Sequence, residues 1–264
     1  MAARNPLEYR LVPAANSVIR FSPVVTAMMY SRSSRRTFLA TAASFSLLLS
    51  TAQGDEPKTA EKDAAGKRSL FDGKTLKGWK EVSYGGEGKI KVENGTLIIG
   101  AGDPMTGIVF DGDVAKLPTR NYELELEAMR VDGGDFFCGL TFPVGDSHCS
   151  FIVGGWGGGV VGLSSINGMD ASENETTKYL KVDSDKWYKL RVRVSGDRIQ
   201  TWIDKEQYAK VVINKRKIST RVEVNQNKPL GISTYHTTGA IRNFTLRELT
   251  AEEIAAEPKP TADE

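Results

Sequence analysis

Lys186 to Asp204 reads KWYKLRVRVSGDRIQTWID, two alternating runs on either side of a Ser195, Gly196, Asp197 turn. This is the pattern of a β-hairpin. Tyr188, Leu190, Val192 and Val194 fall on one face of the first strand, and Ile199, Thr201 and Ile203 on one face of the second, so each strand offers an apolar side to a core. The opposite faces carry Lys189, Arg191, Arg193, Gln200, Trp202 and Asp204. A sheet with one packed side and one wet side bearing an indole suits a carbohydrate, whose C–H faces stack on aromatic rings while its hydroxyls meet charged and amide groups.

The same alternation recurs along the chain. Strands are expected at Ile90–Val92, Thr96–Gly100, Ile108–Phe110, Tyr122–Val131, Asp135–Phe142, Cys149–Val153, Val160–Ser164, Lys178–Leu180, Trp187–Val194, Arg198–Asp204, Gln207–Ile213, Leu230–Tyr235 and Ala240–Glu248. Asn94-Gly95 and Asn167-Gly168 are dipeptides that tolerate positive φ in tight turns. No long helical period and no internal repeat interrupts this pattern. A dozen or so short antiparallel strands close best as two sheets packed face to face, an all-β sandwich.

The 264 residues are 40% hydrophobic, ordinary for a soluble globular chain. The formal charge of +2 is unevenly spread: residues 1–54 hold six arginines against the single acid Glu8, leaving the remainder weakly acidic. No clustered excess of Lys and Arg suggests a nucleic-acid partner. Arg35 and Arg36 precede an apolar run from Phe38 to Leu49, followed by Ser50, Ala52 and Gly54. The arrangement resembles a twin-arginine export signal with a peptidase site near Ala52 to Gly54. The run is short for a bilayer span, so membrane contact is expected only through this region. The implied location is periplasmic or extracellular, and Met28 or Met29 would make a more usual start. Residues 1–54 thus read as a signal region, 55–68 (DEPKTAEKDAAGKR) as a linker, 69–249 as one β domain and 250–264 as a frayed acidic tail.

The opener SLFDGKTLKGWK, Ser69 to Lys80, resembles the start of a family of exported bacterial domains described as 3-keto-disaccharide hydrolase, or 3-keto-glucoside lyase and hydratase, domains. KVENGTLIIG (Lys91 to Gly100), NYELELEA (Asn121 to Ala128), the hairpin quoted above and PLGISTYHTTGAIRNFTLREL (Pro229 to Leu249) agree in order. The resemblance implies a concanavalin A-like jelly roll of the lectin and glucanase type, an extracytoplasmic setting and glycosides as substrates. One stretch departs from the family. Many members carry a strand resembling YExQxxD in mid-domain, whereas CSFIVGGWGGG, Cys149 to Gly159, has no acid.

A 3-keto sugar can lose its C1 substituent by elimination, because the C3 carbonyl acidifies the C2 proton. That chemistry needs a base and a metal or positive donor for the enolate. His148 and His236 are the only histidines, and a histidine beside a carboxylate in a cleft would serve as base. Glu123, Glu125 and Glu127 project from one face of one strand, about 6.6 Å apart in succession. Glu125 and Glu127 could act as a carboxylate pair, or simply pair with Lys189, Arg191 and Arg193 across the sheet. Trp156, set among glycines, reads either as a flat sugar platform or as a cap on the core. Trp202 and Tyr235, with Arg191, Arg193 and Asp135, complete the candidate ligand contacts. The pattern Gly157, Gly159, Gly162 is followed by no helix, so a dinucleotide is not expected. Asp132, Asp135, Asp170 and Asp183 supply loop oxygens without the spacing of a known calcium loop, so a divalent cation is a candidate cofactor that the sequence leaves unspecified. Cys138 and Cys149 read as a disulfide or as two buried thiols, although hairpin register sets Cys138 nearer Val153.

Overall fold

The computed structural model describes residues 66–258. The stretch expected to be an export signal, residues 1–54, and all of the expected linker before Gly66 lie outside these residues. In chain order the strands are β1 Arg68–Ser69, β2 Trp79–Glu81, β3 Ile90–Glu93, β4 Thr96–Ile99, β5 Met105–Phe110, β6 Tyr122–Gly133, β7 Cys138–Val144 and β8 Ser147–Gly155. They continue with β9 Val160–Ser164, β10 Lys178–Tyr179, β11 Trp187–Ser195, β12 Arg198–Ile203, β13 Glu206–Val212, β14 Gly231–Tyr235 and β15 Thr237–Glu248. One short helix, α1 Ala251–Ala256, follows.

The quoted hairpin is β11 and β12, in register Leu190 to Ile203 and Val194 to Ile199, with Gly196 in the turn at φ +56°. Its apolar sides are buried as the alternation requires. It belongs to a first sheet ordered β13-β12-β11-β6-β15-β4-β3, with β1 added on β15; a second sheet runs β10-β9-β8-β7-β14-β5-β2. All pairings are antiparallel. Leu124, Leu126, Leu190 and Val192 from the first sheet share one core with Leu140, Phe142, Phe151, Val153 and Ile232 from the second. The architecture is a jelly-roll sandwich of two antiparallel sheets.

Two differences from the sequence reading have plain causes. β1 and β2 are too short to show alternation, and they exist because Trp79 anchors them. Its Nε1 donates to the Leu70 carbonyl at 2.7 Å, and its ring stacks on Phe244 and meets Phe110 edge-on. Part of the segment read as frayed is α1. Thr250 and Glu253 form a reciprocal capping box at its start, and the Glu253 carboxylate accepts from Arg247 at 2.7 and 2.8 Å.

Cys138 lies opposite Val153 and Cys149 opposite Phe142, so the two sulfurs belong to different rungs of the β7–β8 ladder. Both are free, buried thiols, and burial pushes each up to about 12.

Candidate functional site

The side of the second sheet turned away from the core is built from small residues. Because Phe151 and Val153 point inward, Ser150 and Ile152 of β8 point outward. Register carries that face across the sheet. Ile152 lies opposite Gly139 and Gly162, Ser150 opposite Thr141 and Ser164, and Ser233 opposite Gly139 and Gly107. Glycine and serine at these positions leave a trough above the sheet.

The connection from β13 to β14, residues 213–230, roofs one side of it. Ser165 and Ser219 exchange backbone hydrogen bonds at 2.6 and 3.1 Å, and Asn167 N donates to the Lys217 carbonyl at 2.8 Å, which ties the connection to the end of β9. Farther along, a 3-10 segment Val222–Asn227 is pinned by the Tyr84 hydroxyl, which donates to Asn227 Oδ1, and by Asn227 Nδ2 donating to the Ile108 carbonyl at 3.2 Å. Burial pushes the Tyr84 phenol up to about 12, so it stays a donor across the working pH range.

The result is a cavity of ≈ 320 Å³. Ser150 and Ser164 lie at one end, Trp156, Phe136, Tyr235 and Met105 at the other, with Ile152 and Asp135 also in the wall. Arg221, Glu223 and Val224 come from the roof.

The aromatic end is held by backbone chemistry. Trp156 sits in the turn between β8 and β9 at φ +49° and is 43% exposed. Asp135 brackets that turn: Oδ1 accepts from Phe136 N at 2.8 Å and Oδ2 from Gly157 N at 3.0 Å. Beneath it the buried Arg130 donates from Nη2 to the Val182 carbonyl at 2.9 Å and, more weakly, to the Gly158 carbonyl at 3.5 Å. Tyr235 packs its ring on Phe136 at 5.7 Å.

The roof brings opposite charges into the cavity. Arg221 donates from Nη2 to Glu223 at 2.8 Å and from Nη1 to Asp170 at 2.6 Å. The hydrogen-bonded guanidinium holds the Glu223 carboxyl below its ordinary range, and the two acids raise Arg221 in turn. Hydroxyls, a carboxylate, a guanidinium and flat rings facing one space form a donor set suited to a polyol with one apolar face.

Of the residues singled out in the sequence, Trp156, Tyr235 and Asp135 line this cavity. His148 projects from the same face of β8 as Ser150 but one step beyond it and outside the cavity; burial first, then the nearby Lys228, lowers its pKa. His236 is exposed in the β14–β15 turn, edge-on to Tyr235 at 4.7 Å, and also lies outside.

The other five stand on the outer face of the first sheet. Glu125 pairs with Lys189 at 3.0 Å and Lys67 at 3.1 Å, and Glu127 with Arg242 at 2.6 Å. Arg193 reaches Glu123 at 2.8 Å, while Arg191 stacks on Trp202 at 3.9 Å. Among the described residues no group of three or more His, Cys, Asp or Glu side chains is placed to hold a metal ion, and Asp132, Asp135, Asp170 and Asp183 do not converge.

Sequence reasoning passed over Arg221, Glu223, Phe136, Met105, Ser150 and Ser164. Alternating glycine and serine on neighbouring strands was the available sign of a trough. Nothing in the aperiodic 213–230 connection marked its two charges.

The model of the 3-keto-alpha-glucoside-1,2-lyase-like domain matches residues 66–247. The chain belongs to that family. Every residue of the cavity falls within this lyase-like domain, whereas α1 lies beyond it. Membership gives the chain a carbohydrate-related function. No curated protein matches the chain.

Solved structures similar to the lyase-like domain include a presumptive glycosyl hydrolase from Parabacteroides distasonis, with 16% identity and a TM-score of 0.45, covering 73% of this chain and 98% of the other. Another is the carbohydrate-binding module CBM66 from Bacillus subtilis, with 15% identity and a TM-score of 0.42, covering 65% and 96%. A third is the Crh5 transglycosylase in complex with NAG, with 12% identity and a TM-score of 0.47, covering 71% and 85%.

Proposed function

We propose that this domain is exported, binds a glycoside in the cavity over the second sheet and cleaves a 3-keto-glycosidic bond by elimination. The observation that carries the reading is the Arg221–Glu223 pair set in the same cavity as the Trp156, Phe136 and Tyr235 rings.

The sugar ring takes the end where Ser150, Ser164, Arg221 and Glu223 meet its hydroxyls. The aromatic end takes the group across the glycosidic bond. Glu223, ionised at neutral pH, removes the C2 proton, and the C3 oxygen carries the charge of the resulting enolate. Arg221 is the positive donor that stabilises it. The enolate electrons then return to restore C3=O and form C1=C2, the C1–O bond breaks, and the departing oxygen takes a proton from water. The product is an enone, whose ultraviolet absorbance reports each turnover. Replacing Glu223 with Gln removes the base and is expected to lower kcat by about 100-fold or more; wild-type activity in E223Q overturns the assignment.

A second reading, sugar binding without cleavage, is favoured by two observations. Neither histidine lines the cavity, and Glu223 is held below its ordinary range, which makes it a weaker base. Calorimetric binding of a 3-keto-glucoside with no enone formed selects that reading. Fractionation of the native host cell tests export: recovery only from the cytoplasm overturns it.

A further inference from the structure

The two ends of the cavity differ in chemistry, and strand register fixes how far apart they are. The Ser150–Ser164 rung and the end of β8 at Gly155, where the Trp156 turn begins, are separated by five residues, about 16 Å along a strand, which is room for two six-membered rings end to end. Arg221 and Glu223 enter from the serine end, because the connection that carries them is bonded to Ser165 through Ser219 two residues before Arg221.

The other end offers Trp156, Phe136, Tyr235, Met105 and Ile152. Its one carboxylate, Asp135, already accepts from two backbone N–H groups. A second sugar placed there would find the Trp156 N–H and the Tyr235 hydroxyl as partners for at most two of its hydroxyls and would turn the rest onto Ile152, Met105 and Phe136, where each unpaired polar group costs free energy. A flat apolar ring would bury carbon against carbon and stack on aromatic rings.

We infer that the preferred ligand is a glycoside whose aglycone is an apolar, aromatic ring, held at the Trp156–Phe136–Tyr235 end. This rests on the reading of the cavity as a glycoside site, and it names the substrate class within that reading. The test compares the methyl, phenyl and glucosyl 3-keto-α-glucosides on the full chain, as Kd by calorimetry or as kcat/KM where the compound is turned over.

The phenyl glycoside is expected to be favoured by at least about tenfold over both others, the gain of one buried aromatic contact. In Phe136→Leu the phenyl-to-methyl ratio is expected to fall. Equal values for phenyl and methyl, or a disaccharide equal to or better than phenyl, overturn the inference and leave the glycoside site standing. Failure of all three compounds to bind removes the site itself, and the inference with it.

Discussion

Gly158 is the residue at which to test whether the Trp156 turn is a binding platform. Its φ is +103°, a conformation that L side chains rarely adopt, and a Cβ there would lie 2.8 Å from Arg130 Nη1 and 2.9 Å from the Gly134 carbonyl oxygen. Gly158→Ala therefore brings backbone strain and a collision with a backbone atom that cannot swing aside, together about 2 kcal/mol. Gly158 lines no part of the cavity, so any effect on ligand is relayed through the turn.

If the sandwich absorbs the strain, Tm falls by about 4–8 °C, at roughly 2–4 °C per kcal/mol for a domain of this size. If the turn yields instead, Tm moves little and affinity for a phenyl glucoside drops by about tenfold or more as Trp156 leaves its place. Gly157→Ala is the control: its φ is +82° but no atom lies within 4 Å of the added Cβ, so only the torsional part remains. Differential scanning calorimetry and titration calorimetry on the same samples separate the two outcomes. Unchanged Tm with unchanged affinity in Gly158→Ala would refute the reasoning, because either the turn or the fold must take up the misfit.

Trp156→Ala is expected to weaken glycoside binding by at least about tenfold, whereas Trp202→Ala, on the first sheet, is expected to change it by less than about twofold; the reverse order in calorimetry would move the site to the other sheet. Cys138 and Cys149, with thiols near 12, are expected to resist a thiol reagent at pH 8 and to react fully after unfolding. Glu253 is held at about 2, first by its hydrogen bond with Arg247. A depressed carboxyl adds stability above its unfolded value near 4.5 and loses it as pH falls toward 2. The wild-type minus Glu253→Gln difference in unfolding free energy, about 0.5 kcal/mol after solvent screening, should therefore vanish across that window in denaturant melts.

The fold could be read from side-chain alternation because each strand of a sandwich has one packed face. KWYKLRVRVSGDRIQTWID carries that pattern without a break, and the turn before Cys149 placed Cys138 beside Val153, which is the observed register. The cavity was less legible. Polar alternation looks alike on a flat sheet knitted by ion pairs and on one holding a trough, so Glu125, Arg193 and Trp202 drew notice that Ser150 and Gly139 did not. Missing side-chain volume, rather than charge, distinguishes the two faces. Arg221 and Glu223 reach the cavity only because residues 165–167 bond to residues 217–219, a tertiary pairing without a local period to announce it.

The described chain enters and leaves on the same sheet. Lys67 is bonded to Glu125, and α1 is fastened through Glu253 to Arg247, both on the outer side of the sheet that does not hold the cavity. A surface or fusion partner joined directly at Gly66 or Pro258 would therefore meet the ion-paired side and leave the aromatic mouth facing solution. Such an orientation suits immobilising the domain with its cavity open to ligand.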